Sequence, residues 1–510
     1  MQDQAAREPC SLLVRGGLVI PATYDADSII EDGAVCTRGD RIVAVGSYAR
    51  LNRIYAPEVV CGSDRHVVMP GLVNAHDHVR APSTARLGLP DDVLEAWILD
   101  LLRLPQLDPR LASTLACCQL LQSGVTTVLN SFYEAAGGRY GDVLADTVAG
   151  CEQSGIRTVV SLGIMDRSLV AELLGRLQPQ LPPSMQAWVR AFLSGRNPVS
   201  ASEFFDVVRD WHGARRFRRT TMMMGPVSVH WCSDKLLQAI WEEARSLDLP
   251  IQTHLLESRY QRDDASARYR RSVLKYMSEA GLLSPRLSCA HCVHVTDSDM
   301  DLLAGAGVSV IHCAGSNLRL KNGTAPVGEM LEAGINVGLG LDSLAIGDDG
   351  DMLREMRLVA RVHGGDKQRL VPFPAARVLD MATVNGATAL GMLDDIGTLE
   401  IGKKADILAL KMREISHVRA TSGTVTLDRF VESIDKSIDK SDVDMVIVDG
   451  EPVIDGGRHR HIDEQALLEE IDEILAARSR RRSESDAMIA ALKPYVHDLL
   501  RGPTKGRADG

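Results

Sequence analysis

The sequence predicts an α/β protein, a (β/α)8 barrel joined to a small β domain built from both ends of the chain. Three observations predict it. Between residues 69 and 392, short β-branched apolar runs alternate with longer amphipathic stretches, the texture of parallel β/α units. The strand-like runs there number about eight, which favours a closed barrel, and no GxGxxG follows a strand to favour an open doubly wound sheet. The flanks, residues 1–68 and 393–460, read instead as closely spaced strands and turns, and residues 461–510 read as a helical tail.

At the amino end, SLLVRGGLVI and GAVCTRGDRIVAVG are strands, the second broken by a turn at Arg38-Gly39-Asp40. HVVMPGLV reads as one further strand leading into the barrel. GVTTVLN, IRTVVSLGI, LPIQTHLL, LSCAHCVHV, GVSVIHC and INVGLGLD supply barrel strands, and SDKLLQAIWEEARSLDL is typical of the helices between them. After Gly391, IGTLEIGKKADILAL and DMVIVDGEPVIDGG return to β texture, with turns at Asp449-Gly450 and Asp455-Gly456. The tandem SIDKSIDK at Ser433–Lys440 reads as a surface insertion, and RSRRRS near Arg480 as a solvated helix face. The helices from DEQALLEEIDEIL onward pack either on the barrel or on a partner subunit.

A chain of 510 residues is long enough for a large buried core, and 45% hydrophobic with 25% charged residues is an ordinary globular balance. Aromatic residues make up only 4%, and the net charge is −11. Both argue against a nucleic-acid partner, which requires a basic surface or stacking platforms. Ten cysteines, scattered and without a spacing that suggests a disulfide framework or a zinc knuckle, suit a reducing compartment, and no apolar run reaches membrane-spanning length. The expectation is a cytoplasmic protein with a small-molecule substrate and no nucleic-acid or membrane partner.

PGLVNAHDHVRA places His76 and His78 one residue apart after an apolar run, so both imidazoles can reach one point at the carboxyl end of a strand. His254 closes LPIQTH, His291 lies in LSCAHCVHV, Asp342 ends INVGLGLD, and Glu257 follows His254 in HLLE. Taken singly, the histidines could be hydrogen-bonded core residues and Asp342 a helix N-cap. In a β/α barrel, however, strand ends converge on the face where sites are built. Three histidines and a carboxylate suit one divalent zinc or ferrous ion with a position left for water, whose pKa the ion brings from about 15.7 towards 7. Glu257 can carry that water's proton to a leaving nitrogen while a further imidazole steadies the developing oxyanion.

The strings PGLVNAHDH, GVTTVLN, SGIR (Ser154–Arg157), THLLES, AHCVH, SNLRL (Ser316–Leu320), VGLGLDS and MATVNGATALG followed by IGTLEIGKKADIL resemble the metal-dependent amidohydrolase superfamily. Within it, the chain is similar to the branch of cytosine deaminase-like, guanine deaminase-like and triazine-hydrolysing enzymes, over about Leu12 to Asp463. The resemblance implies a (β/α)8 barrel beside a β-sandwich made by both chain ends, and a homodimer or higher homo-oligomer. It implies that His76, His78, His254 and Asp342 bind one metal ion, zinc first and iron second. It further implies that Glu257 moves protons, that Asp342 helps deprotonate the water, and that His291 orients water or substrate. Ser343, in VGLGLDS, joins His291 on the substrate side.

Departures from the family pattern bear on the substrate. Where many deaminases of the branch carry PHAPYT, this chain reads GPVSVHWCS, with Val227 in place of the histidine; either His230 replaces it or the site differs. Ala314 stands where HCP is usual. Arg80 completes an HxHxR string reminiscent of cyclic amidohydrolases, where that arginine holds a carboxylate, so Arg80 is a candidate substrate contact; its alternative is a surface or inter-loop salt bridge. The first reading is a hydrolytic deaminase releasing ammonia from an aminated nitrogen heterocycle through a metal-activated hydroxide. The second is hydrolysis of another C–N or C–X bond, in an amide, urea, cyclic amide or chlorinated ring. The third is an inactive scaffold, which the complete set of candidate ligands disfavours.

Overall fold

A computed structural model describes residues 7–22, 28–105, 107–214, 217–342, 350–364, 375–411, 438–479 and 484–501. Ser343, residues 433–437 of the SIDKSIDK tandem and the side chains of RSRRRS lie outside them. Strands β1 (Glu8–Val19), β2 (Ile30–Arg38), β3 (Arg41–Ser47) and β4 (Tyr55–Pro70) come first. Eight barrel strands follow: β5 (Leu72–Asp77), β6 (Val125–Phe132), β7 (Arg157–Ile164), β8 (Thr220–Pro226), β9 (Ile251–Leu255), β10 (Leu287–His291), β11 (Ser309–His312) and β12 (Val337–Leu339). The chain ends with β13 (Ile407–Lys411), β14 (Val443–Val448), β15 (Glu451–Asp455) and β16 (Arg458–His459).

Each barrel strand pairs in parallel with the next, from β5 through to β12. The ring closes where the Asp342 amide donates to the His76 carbonyl and the Leu341 amide to Asn74 Oδ1, both at 3.0 Å. Helices follow the strands for local reasons. In Asp234–Ser246, Ser233 caps the start, and Leu236, Leu237, Ile240, Trp241 and Ala244 form one buried stripe at helical spacing. The barrel is the (β/α)8 fold that the alternating texture predicts.

HVVMPGLV is two strands rather than one. His66–Pro70 ends β4 in the small domain, and Leu72 begins β5 in the barrel. The chain changes sheets at Gly71, where a Cβ would stand only 2.2 Å from the Thr126 side chain. The eighth strand, TTMMMGP, is rich in methionine and carries little β-branched signal.

The chain ends share a second sheet, in the order β16-β15-β14-β13-β4-β1-β2-β3. The expected sandwich is this single sheet curled on itself. Ile42 of β3 exchanges backbone hydrogen bonds with Gly402 and Lys403, just ahead of β13. Leu12, Val14, Val35, Ile42, Ile407 and Ile447 meet in one core inside the curl. Of the two tail placements, the structure shows the barrel. Helix Glu464–Ser479 contributes Ile471 to the main core, and helix Glu484–Arg501 packs Ile489, Leu492 and Val496 against helices Leu94–Leu101 and Leu169–Leu177.

Candidate active site

The barrel strand ends bring together what the sequence separates. Ligand-capable atoms of His76, His78, His254 and Asp342 all lie within 4.8 Å of one another, and so do those of Glu257, His291 and Asp342. His76 lies within β5 and His78 just past its end, with their ring centroids 5.5 Å apart; the His254 ring stands 4.7 Å from that of His76 and 5.4 Å from that of His78. Both rings do reach one point, as their spacing predicts.

Each imidazole is held by its Nδ1. His76 Nδ1 meets Gln252 Oε1 at 2.7 Å, His78 Nδ1 the Ser131 carbonyl at 2.7 Å, and His254 Nδ1 the Val227 carbonyl at 2.6 Å. His291 Nδ1 meets Asn317 Oδ1 at 2.9 Å. These oxygens only accept, so every Nδ1 carries its proton and every Nε2 presents a lone pair inward. The Nε2 atoms of His76 and His291 are buried without a well-formed hydrogen bond, a costly arrangement unless something else is to be bound there.

Distances suit a metal ion. Two ligands each about 2.0–2.1 Å from one tetrahedral zinc stand about 3.3 Å apart. Asp342 Oδ1 lies 3.2 Å from His76 Nε2 and 3.5 Å from His78 Nε2, whereas His291 Nε2 is 3.9 Å from Asp342 Oδ2. Charge agrees with distance. Burial lowers His78 to about 4 and His254 well below the ordinary value, which keeps both neutral and able to ligate. Burial alone would raise the Asp342 carboxyl, but the nearby imidazoles of His76, His291 and His78 outweigh it and lower the group, while Asp342 in turn raises His76 against the effect of its burial.

Glu257 sits just beyond β9, fully enclosed. Asn322 Nδ2 donates to its Oε1 at 3.0 Å, and its Oε2 is 3.8 Å from His291 Nε2. Burial, with Asp342 and Glu95 adding to it, pushes its carboxyl well above the usual range. A buried carboxyl placed beside His291 and Asp342 is suited to accepting and returning a proton.

Two further candidates remain. Arg80 is exposed, and its Nη2 donates to the Tyr133 carbonyl at 2.9 Å. His230 is buried on the turn Val229–Trp231; its Nε2 accepts the Leu256 amide at 3.4 Å while Nδ1 is buried with no partner. Burial lowers its ring to about 3. Val227, in place of the family histidine, contributes its carbonyl to His254.

Several functional residues escaped the sequence reading. Gln252 orients His76, and its placement two residues before His254 on one strand is the signal that could have found it. Ser316 donates to Asp342 Oδ2 at 2.5 Å, next to the Asn317 that holds His291, so SNLRL supports two site residues at once. No local sequence feature marks the left-handed backbone at Val79, Leu256, His291, Cys292 and Asp342, with φ of 50°, 48°, 72°, 48° and 59°. Such conformations are costly for residues other than glycine and concentrate at functional sites.

The sequence profile of the amidohydrolase family matches residues 67–453. The chain is 31% identical over 466 residues to a 5-methylthioadenosine/S-adenosylhomocysteine deaminase of Moorella thermoacetica, covering 90% of this chain and 98% of the relative. It is 30% identical over 465 residues to a 5'-deoxyadenosine deaminase of Methanosarcina mazei, covering 90% and 96%. Among solved structures it resembles an adenosine deaminase from Xanthomonas campestris with bound zinc, at a TM-score of 0.77 and 26% identity, covering 93% of this chain and all of that one. With the barrel, the ring of histidines around Asp342 and the length of these matches in agreement, the chain belongs to the amidohydrolase family.

Proposed function

We propose that this protein is a metal-dependent aminohydrolase that releases ammonia from an aminated nitrogen heterocycle, with the adenine ring of a nucleoside as the first choice. The buried Glu257 carboxyl beside His291 and Asp342 carries this reading, because loss of ammonia requires a group that delivers a proton to the departing nitrogen. The relatives named as adenosine-type deaminases support the choice of ring.

His76, His78, His254 and Asp342 would hold one divalent cation, zinc by analogy with the Xanthomonas structure. When bound, such a cation supplies Lewis acidity that brings the pKa of a water towards 7. Asp342, held ionised by the surrounding imidazoles, would be available to help accept a proton from the attacking water. Glu257 passes a proton to the leaving amine, with Asn322 fixing its Oε1. His291, whose Nε2 lone pair Asn317 turns inward, would orient the attacking water or the substrate. Arg80, whose Nη2 donates to the Tyr133 carbonyl, and His230, whose Nδ1 is buried without a partner, are the proposed substrate contacts. The protein is read as a cytoplasmic homo-oligomer.

The test is ammonia release by the zinc-loaded protein from adenosine, 5'-methylthioadenosine, guanine, cytosine and an aminated triazine. Turnover of an adenine nucleoside, abolished in Glu257→Gln, supports the proposal. Turnover of none, with metal bound, overturns it.

A further inference from the structure

Helix Glu484–Arg501 lies wholly beyond the residues that match the family profile. It nevertheless reaches the active-site side of the barrel, because helix Leu94–Leu101 belongs to the excursion that follows His76 and His78. Lys493 Nζ lies 2.7 Å from Asp92 Oδ2 and also meets the fully buried Asp100. His497 Nε2 joins Asp92 Oδ1 at 2.8 Å. One cation therefore ties both ends of a short helix to the tail, in a setting dry enough that the ion pairs hold their geometry.

The same short helix touches the catalytic turn. Glu95 is buried and accepts a hydrogen bond from Ser258 Oγ, the residue after Glu257. Ser258 Oγ in turn accepts from the Gln261 amide at 3.2 Å, and Gln261 Oε1 accepts from the Glu257 amide at 2.9 Å. Contacts thus run without a gap from Lys493 to the backbone of Glu257.

We infer that Lys493 is a positioning residue for the active site, acting through helix Leu94–Leu101 and its Glu95 on the turn that carries Glu257. The inference rests on Glu257 as the proton carrier. Removing Lys493 releases the helix, lets Glu95 withdraw from Ser258 and lets the Glu257 carboxylate wander. Misplacement of a catalytic group by about 1 Å costs on the order of 10²-fold in rate.

The experiment compares Lys493→Met, Lys493→Arg and Glu95→Ala with the unmodified full chain by hydrogen–deuterium exchange, metal content and kinetics on adenosine and 5'-methylthioadenosine. Lys493→Met is expected to speed exchange across residues 91–101 and also 257–261, keep its metal, and lose roughly 10–100-fold in kcat with KM little changed. Lys493→Arg restores kcat, and Glu95→Ala reproduces the loss while the tail exchanges as before. Faster exchange confined to the tail and residues 91–101, with kcat per folded molecule intact, overturns the inference. If the unmodified protein releases no ammonia from either probe, the aminohydrolase reading fails, and exchange at 257–261 alone decides the coupling.

Discussion

Arg157 and Asp406 form a buried bidentate pair, with Arg157 Nε and Nη2 each 2.9 Å from one carboxylate oxygen. Arg157 begins β7 and Asp406 immediately precedes β13, so the pair fastens the barrel to the curled sheet on the face opposite the site. Asp449, in the turn between β14 and β15, takes a second contact from Arg157 Nη2 at 2.5 Å. Replacing Arg157 by Met leaves the buried Asp406 carboxylate without its guanidinium partner, while Asp449 keeps Arg219 and Lys404, and is expected to cost about 3–5 kcal/mol of stability. Chemical denaturation measures the loss, and the kcat of the molecules still folded should be unchanged.

Asp449 gives this junction a pH dependence. Burial alone would raise its carboxyl, but Arg157, with Lys404 and Arg219, holds it below the ordinary value. A carboxyl lowered on folding contributes stability that is complete above the unfolded value, near ~4, and that is lost as pH falls through the lower folded value. Asp449→Asn should therefore unfold at lower denaturant at pH 7 yet lose less additional stability between neutral pH and acid than the unmodified chain. Denaturation midpoints at several pH values check the slope, and parallel slopes would refute the assignment.

Gln252 should control metal retention without being a ligand. Its Oε1 fixes the His76 tautomer, and its Nε2 is anchored on the Ala75 carbonyl and Ser288 Oγ. Gln252→Leu is expected to weaken metal binding by about 10–100-fold, read from chelator competition. His254→Ala should lose the metal outright by elemental analysis.

Glu257→Gln keeps the size of the side chain but cannot carry the proton. The variant should fold, bind metal and lose about 10²–10⁴-fold in kcat. Activity within a few-fold of the unmodified enzyme would remove Glu257 from the mechanism, and loss of metal would make it a ligand instead.

Arg80→Ala separates two roles for the guanidinium. A substrate contact predicts a raised KM on an intact fold. A merely structural hydrogen bond to the Tyr133 carbonyl predicts a lower melting temperature with KM and kcat unchanged.

The sequence carries the barrel openly because β-branched strands and amphipathic helices have different periods, and it carries the histidines and Asp342 openly because their residue types are rare at strand ends. It hides what depends on direction. Nothing in the hydropathy of HVVMPGLV marks the change of sheet at Gly71, and the methionines of β8 imitate helix as readily as strand. Gln252, Ser316 and Asn317 are ordinary polar residues until the fold turns them towards His76, Asp342 and His291. The carbonyls of Ser131 and Val227 are hidden entirely, since every residue has one.

The curled sheet sets an order of events for a chain emerging from the ribosome. Strand β4 is made early, yet its neighbour β13, which pairs Ile407 with Pro70 and Leu408 with Met69, follows more than three hundred residues later. Until then the nascent chain displays β4 as an open edge bearing Val67, Val68 and Met69, all buried in the finished protein. The barrel strands and the site they carry are all synthesised while that edge waits, so a chain that stops before Ile407 would leave the apolar edge of β4 open to pairing with a strand of another molecule.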